Sequence, residues 1–295
     1  MKLSEVVGIV EGQLVSDGEF ETLNYCTAEI EESFLSFIEK EKFIPKMNQN
    51  ITCILCTKEL VEKLPSHIKG IYVVEEPKFC FHKIYEVIEL PSNRKSFKTI
   101  IGENCRISPN ASIPENNVLI GDNVIIEDFV KVYENVTIKD NCILRAHTTI
   151  GGRSFSPARS KSGEVCALVD RGQVVLEKGV EILSQTHVAQ GIWPTDVTYI
   201  GENSRIDVQT HIGHDATIGK AVFIAAGSII GGSSQLGDNV WIGINAAVSN
   251  RVKVGDGARV SLGSVVTKDV ESGKTVTGNF AIDHSLFIEQ LKKKV

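Results

Sequence analysis

Between Ile206 and Asp215 the chain reads IDVQTHIGHD, which places Asp207, His211 and His214 within ten residues. A neutral imidazole, with an ordinary pKa of about 6.5, can take a proton from a reacting group near neutral pH. A carboxylate bonded to the far ring nitrogen would orient such a base and steady the charge that forms on it. Eighteen residues beyond His214 stands Gly232, in a Gly231-Gly232 pair. A fixed backbone N–H there is the kind of donor that stabilises developing negative charge, while a Gly-Gly pair is equally what a tight turn uses. An outward histidine serves either as a base or as an idle surface side chain, so the elements that hold these residues decide between the readings.

Those elements follow from a strict repeat. From Ile200 to Val266 an aliphatic residue returns at every sixth position, twelve times. A helix would space its aliphatics near 3.6 residues and a half-buried strand near 2, whereas a period of six belongs to a parallel β-helix. Four residues after each aliphatic come small residues such as Ser204, Thr210, Ala216, Ser228, Ser234 and Ala258. They fit an inward corner. Three residues after it come Asn203, Asp215, Gly227, Asn239, Asn245, Gly257 and Gly263, types that tolerate the left-handed region or bond their own backbone in turns. Three hexads close one coil of eighteen residues. His214, two residues after the inward Ile212, therefore stands on an outward corner, and Gly232 lies one rung above it, about 5 Å away at the interstrand spacing.

The repeat also sets the domain plan. Ile101, Ile107 and Ile113 open it; after one extra residue near Asn116, Ile120, Ile126, Val132, Ile138, Leu144 and Ile150 continue. The register breaks over residues 151–175, resumes at Leu176, Ile182 and Val188, and is interrupted again by GIWPTDVTY before Ile200. Twenty-four hexads make about eight coils. A loop as long as 151–175 inside a regular solenoid is either functional or a flexible insertion. Residues 1–95 carry no hexad and read as a small α/β domain: strands ITCILCT and GIYVVEE alternate with helical candidates KELVEKL and PKFCFHKIYEVIEL, with Pro77 suited to a first helical turn. PSNRKSFKT, 91–99, reads as a linker. The solenoid occupies 96–271, and 272–295 forms a tail ending in the amphipathic SLFIEQLKKKV, a helix suited to cover the open end.

The hexads resemble the left-handed β-helix of hexapeptide-repeat acyltransferases. Together with the N-terminal order of elements and IDVQTHIGHD, they resemble the UDP-3-O-acylglucosamine N-acyltransferase family of lipid A biosynthesis over nearly the whole chain. That resemblance implies a mainly β fold, a left-handed parallel β-helix with an N-terminal α/β domain and a short C-terminal helix. It implies a homotrimer with active sites between subunits, and transfer of an acyl group from acyl carrier protein or coenzyme A to the amine of a nucleotide-linked amino sugar, without a tightly bound cofactor. His214 falls on the family's catalytic histidine, Asp207 on its aspartate, and Gly232 on the glycine whose N–H stabilises the oxyanion. His211, where the family has Gln, becomes a binding or neighbouring group. Ser33-Phe34-Leu35 matches a Ser-Phe-Leu, and Lys42-Phe43 stands for the Lys-Tyr of an Asn-Pro-Lys-Tyr, so Phe34 and Phe43 are the expected uracil contacts. The Asn-Pro itself is absent. Phe155 matches a loop aromatic, Asp196 lies in a TDVTYIG that resembles Asp-Asp-Thr-Ile-Ile-Gly, and His284 falls where the family has a histidine near the nucleotide phosphates, after Gly278-Asn279-Phe280-Ala281. The family usually ends in a longer helical extension.

Composition excludes other classes. A formal charge of -6 without a long basic run lacks the footprint of a nucleic-acid binder. No 18-residue charge-free apolar run is present, and the first residues lack signal-peptide features, so a soluble cytoplasmic protein is expected. Seven scattered cysteines include one Cys53-Cys56 pair with no partner CxxC, which reads as reduced thiols in a buried strand. No metal site is expected. Two rival classes fit the repeat: a non-catalytic assembly scaffold, and a γ-class carbonic-anhydrase-like metalloenzyme, whose three converging histidines the spacing of His211 and His214 does not match.

Overall fold

A computed structural model describes residues 1–6, 8–88, 95–278 and 283–294. The chain forms two compact units: residues 1–95 with 155–171 and 192–194, and residues 96–154 with 172–191 and 195–295.

The larger unit is a three-faced parallel β-helix whose strands lie in sheets of eight, nine and seven. Face one carries Ile120, Ile138, Leu176, Ile200, Ile218, Leu236 and Val254; face two runs from Ile107 through Ile206 to Val276; face three runs from Val132 through Ile212 to Val266. Each inward aliphatic from Ile200 to Val266 is buried, and burying such a side chain contributes about 1.5–3 kcal/mol. The small residue four places on is buried too, and three of the hydroxyls there meet a carbonyl of the next coil: Ser204 Oγ donates to Gly219 O at 2.9 Å, Ser228 Oγ to Gly243 O at 2.9 Å and Ser234 Oγ to Ser249 O at 3.0 Å. All seven turn formers expected at the third place have positive φ. So do Gln209, Ala221, Ser233 and Arg251, because the corner geometry is set by the coil and overrides local preference.

Coil length absorbs the irregularities. The first coil takes nineteen residues (Ile101 beside Ile120), the coil holding 151–175 takes thirty-eight (Leu144 beside Ile182), and the one holding GIWPTDVTY takes twenty-four (His187 beside His211). Both insertions leave the strands on either side paired.

The smaller unit is a five-stranded sheet ordered β1-β5-β4-β3-β2, with β1 Gln13–Ser16, β2 Thr22–Leu23, β3 Phe34–Ile38, β4 Ile51–Cys56 and β5 Gly70–Val73. Only β1 is antiparallel to its neighbour. Helix α1, Pro77–Val87, begins at its proline as the sequence suggests, whereas KELVEKL forms a 3-10 helix, Lys58–Lys63. Cys53 and Cys56 are buried free thiols, pushed by that burial up to about 11.

The two solenoid insertions belong to this unit. Residues 155–171 fold as an antiparallel hairpin, Pro157–Arg159 with Val165–Ala167, against α1. Trp193 is buried with its ring 4.6 Å from Tyr85 and 5.2 Å from Tyr25, and Tyr85 Oη donates to Ile192 O at 2.8 Å. The core of the small domain is thus completed by residues far from its first 95. Residues 91–94 of the linker reading lie outside the described residues, and from Lys98 the chain already pairs with the first coil. Helix α2, His284–Lys294, matches the expected C-terminal helix; His284, Ser285 and Leu286 are exposed.

Two stability predictions follow from this core. Trp193→Ala should destabilise the small unit by about 3–5 kcal/mol, the usual cost of emptying a buried aromatic site, read as an earlier urea transition in an α1-sensitive probe. His82, on α1, is 2% exposed with neither ring nitrogen hydrogen-bonded, and burial lowers its pKa to about 4. Since the folded pKa lies below the unfolded one, stability is full above about pH 6.5 and falls at up to ~1.4 kcal/mol per unit as pH drops toward 4. His82→Leu should gain up to about 2 kcal/mol more at pH 5 than at pH 8, measured by urea unfolding at both pH values.

Candidate active site

His214 sits at the corner where the chain leaves face three for face one, and its side chain is part-exposed. Asp215, the next residue, has φ 58. That left-handed turn folds its carboxylate back onto the preceding side chain, and Asp215 Oδ2 lies 2.6 Å from His214 Nδ1. The turn is braced by the coil below, since Asp215 N donates to Thr198 Oγ1 at 2.9 Å. With Nδ1–H donating to the carboxylate, the lone pair sits on Nε2, on the opposite side of the ring.

Nε2 faces Gly232. A Cβ at that position would lie 2.5 Å from His214 Nε2 and 2.7 Å from Cε1. Gly232 is not in the left-handed region, so no backbone strain demands glycine there; the missing side chain leaves room at the basic nitrogen. At some corners between faces one and two, the N–H two places after the inward aliphatic is capped by a carboxylate of the next coil. Lys220 N donates to Asp238 Oδ1, and Asp238 N to Asp256 Oδ1. Gly232 N–H has no such cap among the described residues. An uncapped amide and an imidazole lone pair thus share one opening.

The structure corrects two expectations. The carboxylate on His214 is Asp215, not Asp207: Asp207 Oδ1 accepts from Val208 N at 2.7 Å and Oδ2 from Ala226 N at 3.2 Å, so it caps a different corner. The sequence did contain the signal, an aspartate at the left-handed third place directly after an outward histidine, but it read as a turn former alone. Phe34 is fully buried between β3 and β4, packed with Ile38, Ile51 and Ile54, so it offers no face to a base. Phe43 is part-exposed, with Lys42 Nζ 5.2 Å from its ring centroid. Phe37, passed over in the sequence reading, is half-buried and lies 5.9 Å edge-on from Tyr25. Phe155 is exposed on the hairpin unit. His284 is exposed at the start of α2, while Asn279, Phe280 and Ala281 lie outside the described residues. Asp196 accepts a bond from Thr195 Oγ1 at 3.4 Å.

His211 stands on face three, three residues before His214. Its ring is stacked on that of His187 one coil below, centroids 5.2 Å apart and planes 11° from parallel. Parallel rings direct their nitrogens side by side, so this pair does not converge on a common point. Burial lowers the pKa of both, and the nearby His214 lowers that of His211 further.

Comparison with known proteins agrees with this architecture. The family described as bacterial transferase hexapeptide (six repeats) matches residues 117–152 and 198–232. A solved structure, the Francisella novicida UDP-N-acetylglucosamine acyltransferase, superimposes with a TM-score of 0.51 at 25% identity over 66% of this chain and 71% of its own. The fold is a left-handed β-helix of the hexapeptide transferase class. The UDP-3-O-acylglucosamine N-acyltransferase 1 of Sulfurimonas denitrificans is 30% identical over 98% of this chain and 96% of its own length. The UDP-3-O-acylglucosamine N-acyltransferase of Campylobacter jejuni is 32% identical over 77% and 76%. The chain belongs to the UDP-3-O-acylglucosamine N-acyltransferase family and is an acyltransferase. No helix of the described residues is long and apolar enough to cross a membrane.

Three substitutions test the geometry. Asp215→Asn should lower kcat on the order of 10²-fold or more by removing the charge that holds the ring, while Asp207→Asn should cost stability first. Gly232→Ala should fold with a melting temperature close to the parent's and lose activity, because its methyl occupies the space at Nε2. An active Gly232→Ala enzyme would show that this opening is not where the substrate reacts.

Proposed function

We propose that the chain transfers an acyl group from an acyl thioester to the amine of a UDP-linked amino sugar, in the assembly of lipid A. The observation that carries this reading is the uncapped Gly232 N–H over the open Nε2 of an imidazole oriented by Asp215. The amine nitrogen attacks the thioester carbonyl. His214 Nε2 takes the proton the nitrogen must shed, and Asp215 stabilises the imidazolium. Negative charge on the former carbonyl oxygen is met by Gly232 N–H. Collapse breaks the C–S bond, the imidazolium returns its proton to the leaving sulfur, and an amide and a thiol are released. Acyl carrier protein and coenzyme A both present such a thioester, and either serves this chemistry.

The outward ladder on face three fits two unlike substrates. Toward the N-terminal coils it carries Lys131, Thr149, His187 and His211, and toward the C-terminal coils Ile229, Ala247 and Val265. His214 stands beside the change from polar to apolar. The sugar belongs on the first side and the acyl chain on the second. Ile229, Val265, Ile244 and Leu262 are more than half exposed in a single copy, an apolar strip that supports assembly as a homotrimer with active sites between subunits. The N-terminal unit is read as the nucleotide-recognition element, with Phe43 as its surface aromatic; His284, on α2 of the larger unit, is read separately as a group for a phosphate. Its free cysteines suit the reducing cytoplasm, where acyl thioesters are made.

The decisive assay measures thiol release from acyl thioesters in the presence of UDP-amino sugars. His214→Ala should lose about 10²–10⁴-fold in kcat, the range for removing a general base, with intact folding by circular dichroism. Full activity in that variant would sink the mechanism.

A further inference from the structure

His187 enters neither the base nor the amide described above, yet the fold makes special room for it. It is the outward residue of its coil on face three, in register with Thr149 below and His211 above. Between Ile150 and Gly152 the underlying strand bulges, and the bulge brings Gly152 against the imidazole: a side chain there would overlap His187 Nε2. On its other side the ring meets His211, nearly parallel at 5.2 Å. His187 Nδ1 is buried and bonded to nothing among the described residues. The ring is therefore held by shape and stacking, not by a hydrogen bond. A buried nitrogen without a partner costs about 1–3 kcal/mol, and an aliphatic side chain would have avoided that cost, so a flat ring at this place has a purpose other than stability.

That purpose is visible in what the ring touches. The next outward residue after His211 is Ile229, so His211 is clamped between a flat ring and a branched aliphatic, within reach of the charge of His214. We propose that His187 is a positioning residue: its ring, seated on Gly152, fixes the His211 imidazole beside His214, where it binds the polar part of the acceptor. Two neutral rings stack through dispersion and quadrupole terms, and neutral His211 offers one donor and one acceptor to a hydroxyl or phosphate oxygen. The clause about the acceptor rests on the acyl-transfer reading; the clause about the ring does not.

The experiment therefore has two arms. In the first, the full chain labelled in its histidine rings is titrated by NMR without substrate, with His211 assigned from the spectrum of His211→Asn. His187→Ala should raise the His211 pKa toward the ordinary value of about 6.5, and His187→Phe, which keeps a stacked ring, should leave it low. In the second, His187→Ala should raise the KM for the amino sugar about tenfold with kcat within about threefold, and His187→Phe should restore KM to within about twofold, the pattern of lost positioning. An unchanged His211 titration in His187→Ala overturns the proposal whether or not the chain acylates a sugar. A shifted titration with an unchanged KM overturns the acceptor contact. Should His187→Ala fail to fold, His187→Phe decides alone: a parental His211 titration and KM support stacking, and a large rise in KM overturns it.

Discussion

Hydrogen bonding between successive coils is the constraint on which the rest depends. A parallel ladder admits side chains on one face only in steps of one rung, about 4.8 Å, and a one-residue slip would turn every inward aliphatic to solvent. The positions of His214, Gly232, His211 and His187 are all read from that ladder. None of them is held by a loop free to choose its own conformation. The inward aliphatics thus fix the place of the chemistry without touching it, the rigidity that electrostatic preorganisation requires.

Corners, in contrast, are where the ladder leaves freedom. The third place of each hexad takes positive φ whatever residue occupies it, from Asn203 to Arg251. At some corners between faces one and two the exposed amide is capped from the next coil, as Asp238 does for Lys220. At Gly232 that cap is missing, and at His214 the third-place aspartate turns to the imidazole. The candidate site is one corner of the repeat in which the third-place aspartate orients a ring beside an open amide.

The repeat, its three faces and its coil count were legible in the sequence because a period of six is global and survives insertions. The placement of Gly232 over His214 came from the same counting. What counting could not supply was the direction of a side chain at a left-handed corner, so Asp207 was expected where Asp215 stands. Phe34 failed for a related reason: in β3 every position but Phe37 is buried, and a motif match gives spacing but not which face of a doubly covered strand is wet. The His187–His211 stack was hidden because its partners are twenty-four residues apart, a distance set by an insertion and not by the repeat.

The hairpin at 155–171 and the short segment at 192–194 have a consequence for how the chain is made. The aromatic cluster of Tyr25, Phe81 and Tyr85 is closed by Trp193, so the first 95 residues leave the ribosome with their core unfinished. Closure has to wait until almost a hundred further residues have been synthesised. At about 5–20 residues per second that is a delay of roughly 5–20 s, during which an apolar surface stays open while the early coils form. The nascent N-terminal segment is thus the stage of biogenesis most exposed to aggregation and to holding chaperones, and the solenoid's third and fourth coils carry the residues that end that exposure.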